Sequence, residues 1–420
     1  MRVVHVVTAF PRHPGDVITP WMVELVRRSR ERGLDAQVLA PAYRGDGALE
    51  VEGIPVRRFR YAPAPWETLT HDETVPDRIR RSPAFAGLVP LYLLGGSAAS
   101  LAVGRQRPDI VHVHWPMPHA LFGAAARWAS GRRSALVCSF YSVELTWVSR
   151  RMRWLLPFLR WSARTADQVT AISHPTANLV REITGVEARV VPFAAAVGDG
   201  STGEDGEARP PLSGGPGAPL ELLFVGRLVE RKGVEVLIRA LPAILRRRPV
   251  NLTVVGEGEW ESAIREAIRE AGVERRVRLT GYVSRETLSR LYRRADLFVL
   301  PAVVDRKGDT EGLGVVLLEA MRQGRPVLAS RVGGIPDIVV HDRSGWLVPP
   351  GDPEALAEAV LRAAADPDRT RALAREGRRR AVEDFSWERV LGGLEDAYAA
   401  ALARRSVGGR RHDRQAGVGG

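Results

Sequence analysis

Two glutamates in the second half of the chain, Glu311 and Glu319, have the surroundings of carboxylates that bind hydroxyl groups. Seven residues separate them; Glu311 follows a Gly/Asp loop, and Glu319 lies inside an apolar run that predicts a helix. A helix starting near Gly312 would turn its N-terminal N–H groups toward the ligand of Glu311, which favours an anion. Backbone N–H groups of Gly312, Leu313 and Gly314 are then candidate contacts to a sugar or phosphate. The first carboxylate can accept hydrogen bonds from sugar hydroxyls, and the deeper one from a ribose diol.

Two cations bracket a glycine turn earlier in the same half. The run 222–233 reads as a strand, a turn at Gly226 and the start of a helix. Arg227 and Lys232 lie at either side of the turn, so both can reach one point near the end of the strand. A planar guanidinium together with a compact ammonium suits a diphosphate. The alternative is a pair of solvated surface cations.

Lysine is rare in this chain, and both lysines fall in loops of interest. Lys232 and Lys307 are the only lysines among 61 basic residues. Lys307 and its neighbour Arg306 precede Glu311. They are either further phosphate or hydroxyl contacts or part of a solvated loop, and the sequence leaves both interpretations open.

Histidines occur in an apolar run of the first half, Ile110–His114. Because strand side chains alternate, His112 and His114 share one face, with His114 nearer to the carboxyl end of the strand. His114 either binds substrate or is packed at the end of a sheet. His119 is a further candidate.

The elements that must position these residues alternate between short β-type runs and longer helical patterns, which is typical of parallel α/β sheets. A Gly/Ser/Pro-rich stretch divides the chain, so we predict an α/β domain over 1–197, a linker over 198–219 and a second α/β domain over 220–385. A terminal helix over 386–405 and a disordered basic tail over 406–420 complete the prediction. The predicted strands are 3–8, 36–40, 110–114, 135–140, 169–172, 189–192, 221–225, 251–255, 277–279, 297–300 and 326–329, and a helix is predicted over 20–32.

Composition narrows the class of protein. The chain of 420 residues is long enough for two domains, and its single cysteine, Cys138, indicates a reducing compartment. The N-terminus enters a buried strand directly, so no signal peptide is expected. The net charge of +12 comes from residues 1–200 (+8) and the last 17 residues (+4), while the part between them is neutral. Without a basic-aromatic motif, this distribution argues against a nucleic-acid binder.

Two segments have compositions that raise the question of membrane contact. The uncharged apolar run 88–104 contains proline and several small residues, and we predict a buried helix there rather than a membrane span. The predicted helix 150–164 interleaves arginines with Trp154, Leu155, Phe158 and Trp161. It is either packed on the sheet with a solvated basic face or a helix that meets an anionic membrane surface.

Taken together, these motifs resemble those of the retaining glycosyltransferases of family 4, over roughly residues 1–400. The stretch 309–337 resembles the E-x7-E segment of that family, and Gly226 to Gly233 resembles its G-R-x-x-x-x-K-G element. The resemblance implies a GT-B fold, with two Rossmann-like α/β domains facing across a cleft. It implies transfer of a sugar from a nucleoside-diphosphate sugar to an acceptor hydroxyl, with retention at the anomeric carbon and the β-phosphate acting as base.

The resemblance also assigns roles to individual residues. Arg227 and Lys232 would neutralise the leaving diphosphate, Glu311 would hold the donor sugar and Glu319 the ribose. The loops that contain Glu257 and Val283 would receive the nucleotide base. No metal or other cofactor is expected, because no Asp-x-Asp pair stands in a suitable loop.

In the first domain the sequence departs from the family pattern at two places. Gly15 occupies the loop that approaches the donor phosphates, but Asp16 stands where a second glycine is common. Tyr141 stands where many relatives have a histidine that contacts the donor sugar. A tyrosine can donate a hydrogen bond, but it does not become cationic near neutral pH.

These departures keep other functions open. One is an inactive relative that binds a sugar nucleotide without turnover, and another is an epimerase or phosphorylase of the same fold. The acceptor class implied by the resemblance includes lipid-linked sugars, polysaccharide ends and small metabolites. The expected location is cytoplasmic, with peripheral contact at the inner face of the cell membrane as an open alternative.

Overall fold

The computed structural model describes residues 1–13, 16, 18–45, 49–71, 75–195, 210–215 and 217–416, with the backbone alone at 76–77 and 406–416. The chain forms two compact units. The first contains Met1–Ile172, Thr176–Val191 and the chain from Val390 onward, and the second contains Ser173–Pro175 and Pro192–Arg389.

A parallel sheet forms the centre of the first unit. Its strands are β1 (Arg2–Val6), β2 (Asp35–Pro41), β3 (Glu50–Val51), β4 (Ile54–Phe59), β5 (Ile110–His114), β6 (Ala135–Phe140), β7 (Gln168–Ala171) and β8 (Arg189–Val190). They lie in the order β3-β4-β2-β1-β5-β6-β7-β8, and only the β3–β4 pair is antiparallel. Every residue of β5 and β6 is buried because helices cover both faces of a sheet of this kind.

In the described residues, eight α-helices belong wholly or mainly to the first unit. They are α1 (Pro20–Glu31), α2 (Val75–Arg81), α3 (Leu88–Gly104), α4 (Pro116–Ala129), α5 (Val143–Arg151), α6 (Leu156–Thr165), α7 (His174–Thr184) and the C-terminal helix (Trp387–Ala416). The C-terminal helix packs on the first unit from Val390 onward, and Tyr398 Oη lies 2.8 Å from His112 Nδ1. Its backbone is helical to Ala416, which includes much of the tail predicted to be disordered.

The second unit has a six-stranded parallel sheet in the order β11-β10-β9-β12-β13-β14. The strands are β9 (Leu220–Val225), β10 (Val250–Val255), β11 (Val277–Leu279), β12 (Leu297–Leu300), β13 (Val327–Ser330) and β14 (Trp346–Val348). The helices are α8 (Val234–Leu245), α9 (Glu261–Glu270), α10 (Arg285–Arg294), α11 (Val315–Arg322), α12 (Ile335–Ile338), α13 (Pro353–Ala365) and α14 (Pro367–Glu383).

The predicted strands lie within two residues of observed strands, whereas β3, β4 and β14 were not predicted. The predicted linker falls partly outside the described residues, which lack 196–209 and 216. Its described part packs on the second unit, because Leu212 is buried and its N–H donates to Asp296 Oδ1 at 2.8 Å.

Two helix predictions need correction. The segment 150–164 is not one helix: α5 ends at Arg151, Met152 has φ −134°, and α6 begins at Leu156 with Pro157 in its first turn. The apolar helix α3 forms as predicted but is not buried. The segment Pro83–Gly104 is long and apolar enough to span a membrane, with a mean hydropathy of 1.6, and only 28% of that window is buried.

Candidate functional site

The loop after β9 places two predicted cations at the carboxyl end of that strand. A short 3-10 turn, Glu230–Lys232, follows the strand, and Gly233 ends it with φ 65°. Arg227 is exposed, whereas Lys232 is buried. Burial lowers the pKa of Lys232, and the positive charges of Arg231 and Arg227 lower it further, against the opposing effect of Glu311. Arg227 and Lys232 therefore lie close enough for their charges to interact, as the spacing predicted.

The predicted carboxylate Glu311 is ion-paired with this loop. Lys232 Nζ donates to Glu311 Oε2 at 2.5 Å, and Arg231 Nη1 donates to the same oxygen at 3.2 Å. Burial would raise the pKa of Glu311, but the charges and hydrogen bonds of Lys232 and Arg231 outweigh it and hold the pKa at about 2. Glu311 is thus an anion fixed between two cations.

Arg231 was missed by the sequence analysis. It is half-buried, and its Nε also lies 3.6 Å from Asp309 Oδ2. The available signal was its position next to Lys232, immediately before the glycine that ends the turn.

The loop that carries Glu311 has a shape different from the prediction. The helix expected near Gly312 begins at Val315, because Gly314 has φ 92° and stands before the first helical residue. Leu313 is buried in the core. The loop is held from the other side by Gly334, whose N–H donates to Glu311 O at 2.9 Å.

Glu319 lies in α11 with its carboxylate buried. Tyr292 Oη, on α10, donates to Glu319 Oε2 at 3.0 Å. Burial raises the pKa of Glu319 from 4.5 to about 7, while the Tyr292 hydrogen bond and the charges of Lys232 and Arg285 oppose the rise. Tyr292 was also missed, since its sequence neighbourhood shows only a helix with a buried aromatic residue.

This pKa leads to a prediction about stability. The unfolded chain loses the Glu319 proton near its ordinary pKa of 4.5, and the folded chain near 7. The folded state therefore binds more protons between these values, so the free energy of unfolding falls as pH rises through this window. We expect Glu319→Gln to be more stable than wild type by about 3 kcal/mol at about pH 8, with a much smaller difference at about pH 5.

Urea unfolding of both proteins at the two pH values measures this difference, with the exposed Glu274→Gln as control. An equal difference between Glu319→Gln and wild type at both pH values would contradict the prediction.

The two loops predicted to receive a base lie against each other. Gly256 and Gly281 form an isolated β-bridge, and Glu257 Oε1 accepts from Tyr282 N at 3.3 Å. Val283 is half-buried beside them. The side chain of Glu257 therefore connects the two loops, and the ring of Tyr282 is exposed.

Arg306 has protein partners. Its Nε donates to Glu230 Oε1 at 2.8 Å, and its guanidinium lies 5.0 Å from the centre of the Trp260 ring. These contacts favour the solvated-loop interpretation for Arg306. Lys307, beside it, is exposed.

In the first unit, the predicted histidines form part of a buried polar network. His112 and His114 lie on the same face, with ring centres 4.0 Å apart, as the alternation predicted. His114 Nδ1 lies 2.5 Å from Tyr141 Oη, and His114 Nε2 lies 3.0 Å from Nδ1 of His5, which pairs with His112 across β1 and β5. His5 was not predicted, although a lone polar residue in an apolar strand was a signal.

The network is neutral. Burial lowers the pKa of His5 to about 3 and the pKa of His112 and His114 well below the ordinary value, and the neighbouring histidines lower the latter two further. Burial also raises the pKa of Tyr141 well above its ordinary value. Tyr141 is therefore an uncharged hydrogen-bonding group next to a neutral histidine.

Within the described residues, one group of three side chains is close enough to hold a metal ion. Nitrogens of His5, His112 and His114 lie within 4.8 Å of one another. However, His112 Nε2 lies 2.6 Å from Ser139 Oγ and its Nδ1 contacts Tyr398, so both of its nitrogens already have hydroxyl partners. The arrangement suits a hydrogen-bond network.

Three further residues of the first unit were singled out from the sequence: Gly15, Asp16 and His119. Gly15 lies outside the described residues. Asp16 accepts from Arg12 Nε at 2.6 Å and from Ile18 N at 3.3 Å, so its carboxylate connects Arg12 to Ile18. His119 is packed in the core, with Nε2 2.8 Å from Tyr92 Oη, and burial lowers its pKa to about 4.

Comparison with known proteins identifies the family of this chain. The profile of the family described as Glycosyl transferase 4-like domain matches residues 18–195, and that of Glycosyl transferases group 1 matches residues 213–380. The GDP-mannose-dependent alpha-(1-6)-phosphatidylinositol monomannoside mannosyltransferase of Mycolicibacterium smegmatis is 34% identical over 307 residues, which cover 71% of this chain and 76% of that protein.

Solved structures show the same fold. Sucrose-phosphate synthase from Thermosynechococcus elongatus superposes with a TM-score of 0.72 at 21% identity, covering 96% of this chain and 99% of that one. Anabaena HepE in complex with UDP and glucose superposes with a TM-score of 0.67 at 20% identity, covering 94% of this chain and 99% of that one. The predicted fold class and family are confirmed: the chain belongs to glycosyltransferase family 4 and has the GT-B fold.

Proposed function

We propose that this glycosyltransferase moves a sugar from a nucleoside-diphosphate sugar to an acceptor hydroxyl, with retention at the anomeric carbon and without a metal ion. The observation that carries the proposal is the group of three cations, Arg227, Arg231 and Lys232, at the carboxyl end of β9 beside the carboxylate of Glu311. Ligands of open parallel sheets bind at this end of the strands. The M. smegmatis relative uses GDP-mannose, and HepE binds UDP, which supports a nucleotide donor.

The cations supply the electrostatic part of the mechanism. When the bond between the anomeric carbon and the β-phosphate oxygen breaks, the departing diphosphate gains negative charge. Positive groups that are already fixed in place stabilise that charge without reorganising. Exposed Arg227 can contact the diphosphate directly, while Lys232 is held by Glu311. We propose that these side chains take the place that a divalent metal has in other transferases.

The carboxylates orient the donor. Glu311 is an anion at neutral pH and can accept from hydroxyls of the transferred sugar. Glu319, one helix turn or more deeper, can accept from the two hydroxyls of a ribose. In the retaining reaction, the leaving β-phosphate takes the proton of the acceptor hydroxyl as that oxygen bonds to the anomeric carbon.

Tyr141 has a separate role in the proposal. Its phenol is neutral, and His114 Nδ1 lies 2.5 Å from its oxygen, which fixes the direction of the hydroxyl. We propose that Tyr141 forms a hydrogen bond to a substrate hydroxyl, and that His114 positions it.

Calorimetric titration of UDP, GDP, ADP and dTDP into wild type tests the donor site. We expect one diphosphate to bind clearly, and its affinity to fall by about tenfold or more in Arg227→Ala and in Glu319→Ala. The exposed Arg246→Ala, in the same unit, is the matched control and should bind like wild type. Equal binding by Arg227→Ala and wild type would place the diphosphate elsewhere.

Turnover measurements then separate the remaining alternatives. With the matching sugar nucleotide and acceptors, chelation by EDTA should leave the rate unchanged, and the product should keep the anomeric configuration of the donor in its proton spectrum. A new sugar nucleotide formed without acceptor would indicate an epimerase. Diphosphate binding without turnover on any acceptor would favour an inactive relative, for which Tyr141 and Asp16 are the sequence argument.

A further inference from the structure

Helices α3, α4 and α6 pack side by side in the first unit, and each presents apolar side chains to solvent. On α3 the exposed residues recur on one side, with Leu94 68% exposed and Leu91 also exposed. On α4, Leu121 and Trp128 are seven residues apart and both exposed. We call the outer surface formed by α3, α4 and the segment α5–α6 the α3–α6 face.

Leu91 and Leu94 point outward, while the inner side of α3 buries Leu88 and Tyr92 in its first half and small residues, Gly96, Ser100 and Gly104, further along. A side chain added at Gly96 would lie 2.1 Å from the Phe122 ring, and one at Gly104 would lie 2.1 Å from Ala126 O. At these two glycines the backbone of α3 therefore packs directly against α4, which leaves no room for a larger residue at either position. This packing holds α3 as part of the folded unit, with its large apolar side chains on the surface.

The segment α5–α6 adds tryptophans and arginines to the same face. Trp154 is 73% exposed, and Trp161 is exposed on the side of α6 that also carries Pro157, Arg160 and Arg164. These positions have the spacing i, i+3, i+4 and i+7, which defines one side of a helix. The helix is therefore amphipathic, with a mixed aromatic and basic outer side.

Charge on the α3–α6 face has one sign. Between residues 82 and 165 there are ten arginines and only two carboxylates, Asp109 and Glu144. Glu144 is buried and accepts from Tyr141 N, and Asp109 lies just before β5, outside the helices. The helices of this face thus expose no carboxylate. The side chains of four exposed arginines make no ion pair or hydrogen bond to the described part of the chain: Arg150, Arg151, Arg153 and Arg164.

Two helices outside this face carry carboxylates that pair with their arginines. On α1, Glu24 pairs with Arg27 and Arg28, and on α14, Glu376 and Glu383 pair with Arg379. A surface that excludes carboxylates while exposing leucine and tryptophan is suited to a negatively charged, partly apolar partner. We propose that the α3–α6 face binds the surface of an anionic lipid bilayer, with the arginines at the phosphate groups and the tryptophans and leucines in the interfacial layer.

Two other partners fit less well. A second copy of the chain placed on this face would bring arginines against arginines in a symmetric contact. A nucleic acid would match the arginines and could stack on tryptophans, but it would leave Leu91 and Leu94 in water. A bilayer surface can contact all three types of side chain on this face: arginine, tryptophan and leucine.

Sedimentation with lipid vesicles tests the proposal. We expect the full-length protein to pellet with vesicles of phosphatidylcholine mixed with phosphatidylglycerol at low salt, and to be released as salt rises. Vesicles of phosphatidylcholine alone should bind at least about tenfold more weakly. Replacing Arg150, Arg151, Arg153 and Arg164 together by Gln should lower binding to the anionic vesicles by about tenfold or more.

A matched variant separates the effect of charge on the α3–α6 face from the effect of overall charge on vesicle binding. Arg246, Arg247, Arg275 and Arg294 are exposed arginines of the second unit, and replacing them by Gln removes the same charge. This control should bind vesicles like wild type, and Leu91→Ser with Leu94→Ser should weaken binding without changing the melting temperature. The proposal is overturned if wild type stays in the supernatant, if both arginine variants lose binding equally, or if neutral vesicles bind as well as anionic ones.

Discussion

Replacing Lys232 by Met is expected to lower kcat by about a thousandfold, because it removes a fixed positive charge from the site at which we propose the diphosphate leaves. It also leaves Glu311 buried with Arg231 as its remaining close cation. Breaking a buried ion pair in this way costs about 3 kcal/mol of stability. Loss of activity in this variant therefore has two sources, electrostatics of the reaction and damage to the fold.

A double variant separates the two sources. In Lys232→Met with Glu311→Gln, no unpaired charge is buried at this position, so most of the stability should return. The rate should stay low, since the cation and the carboxylate that we propose orients the donor are both absent. Melting temperature and steady-state kinetics of the two single variants and the double variant complete the cycle. A double variant that regained wild-type activity along with stability would show that the pair is structural only.

Replacing Gly333 by Ala should severely disturb the loop that carries Glu311. Gly333 has φ 55°, and a Cβ there would lie 2.0 Å from Glu311 O. The alanine therefore forces the backbone of Glu311 to move, which shifts its carboxylate away from Lys232. We expect a loss of about 3 kcal/mol or more in the free energy of unfolding and a fall of about a hundredfold in diphosphate affinity.

Gly351→Ala is the matched control for the backbone conformation. Gly351 has φ 75°, but no atom lies within 4 Å of the position of its Cβ. It therefore carries the cost of a left-handed alanine, about 1 kcal/mol, without the steric conflict. Urea unfolding and calorimetric titration of both variants measure the difference. Equal losses of stability and affinity in the two variants would contradict the prediction, because the steric conflict with Glu311 O would then have no effect of its own.

The fold was largely predictable from local patterns. The two runs of alternating strands and helices predicted two parallel α/β units, and the strand positions followed because fully buried strands are continuous apolar runs. The predictions that were wrong or missing concerned single helices and strands. The helix expected to continue through 150–164 ends at Arg151, and the strand β4, Ile54–Phe59, carries arginines that disguise its apolar pattern.

The site was predictable to the level of the loops. Glu311, Arg227 and Lys232 each follow a strand, and the carboxyl ends of parallel strands lie at the same edge of a sheet, so proximity followed from the sequence. Which side chain each of them pairs with did not follow from the sequence. Glu311 pairs with Lys232 and Arg231, 79 and 80 residues away, and Glu319 pairs with Tyr292, 27 residues away.

The sequence by itself therefore determined the family, the two-unit α/β architecture and the presence of two carboxylates and two cations in the loops and the helix that follow strands, because each depends on residue type and short spacing. The tertiary structure decided which charges pair, how deeply Glu319 is buried and where the C-terminal helix packs. It also decided that α3 exposes Leu91 and Leu94, because Gly96 and Gly104 on its other side pack on α4. Pairing, burial and exposure depend on contacts between distant segments, and no local pattern specifies which side chain will occupy a given space.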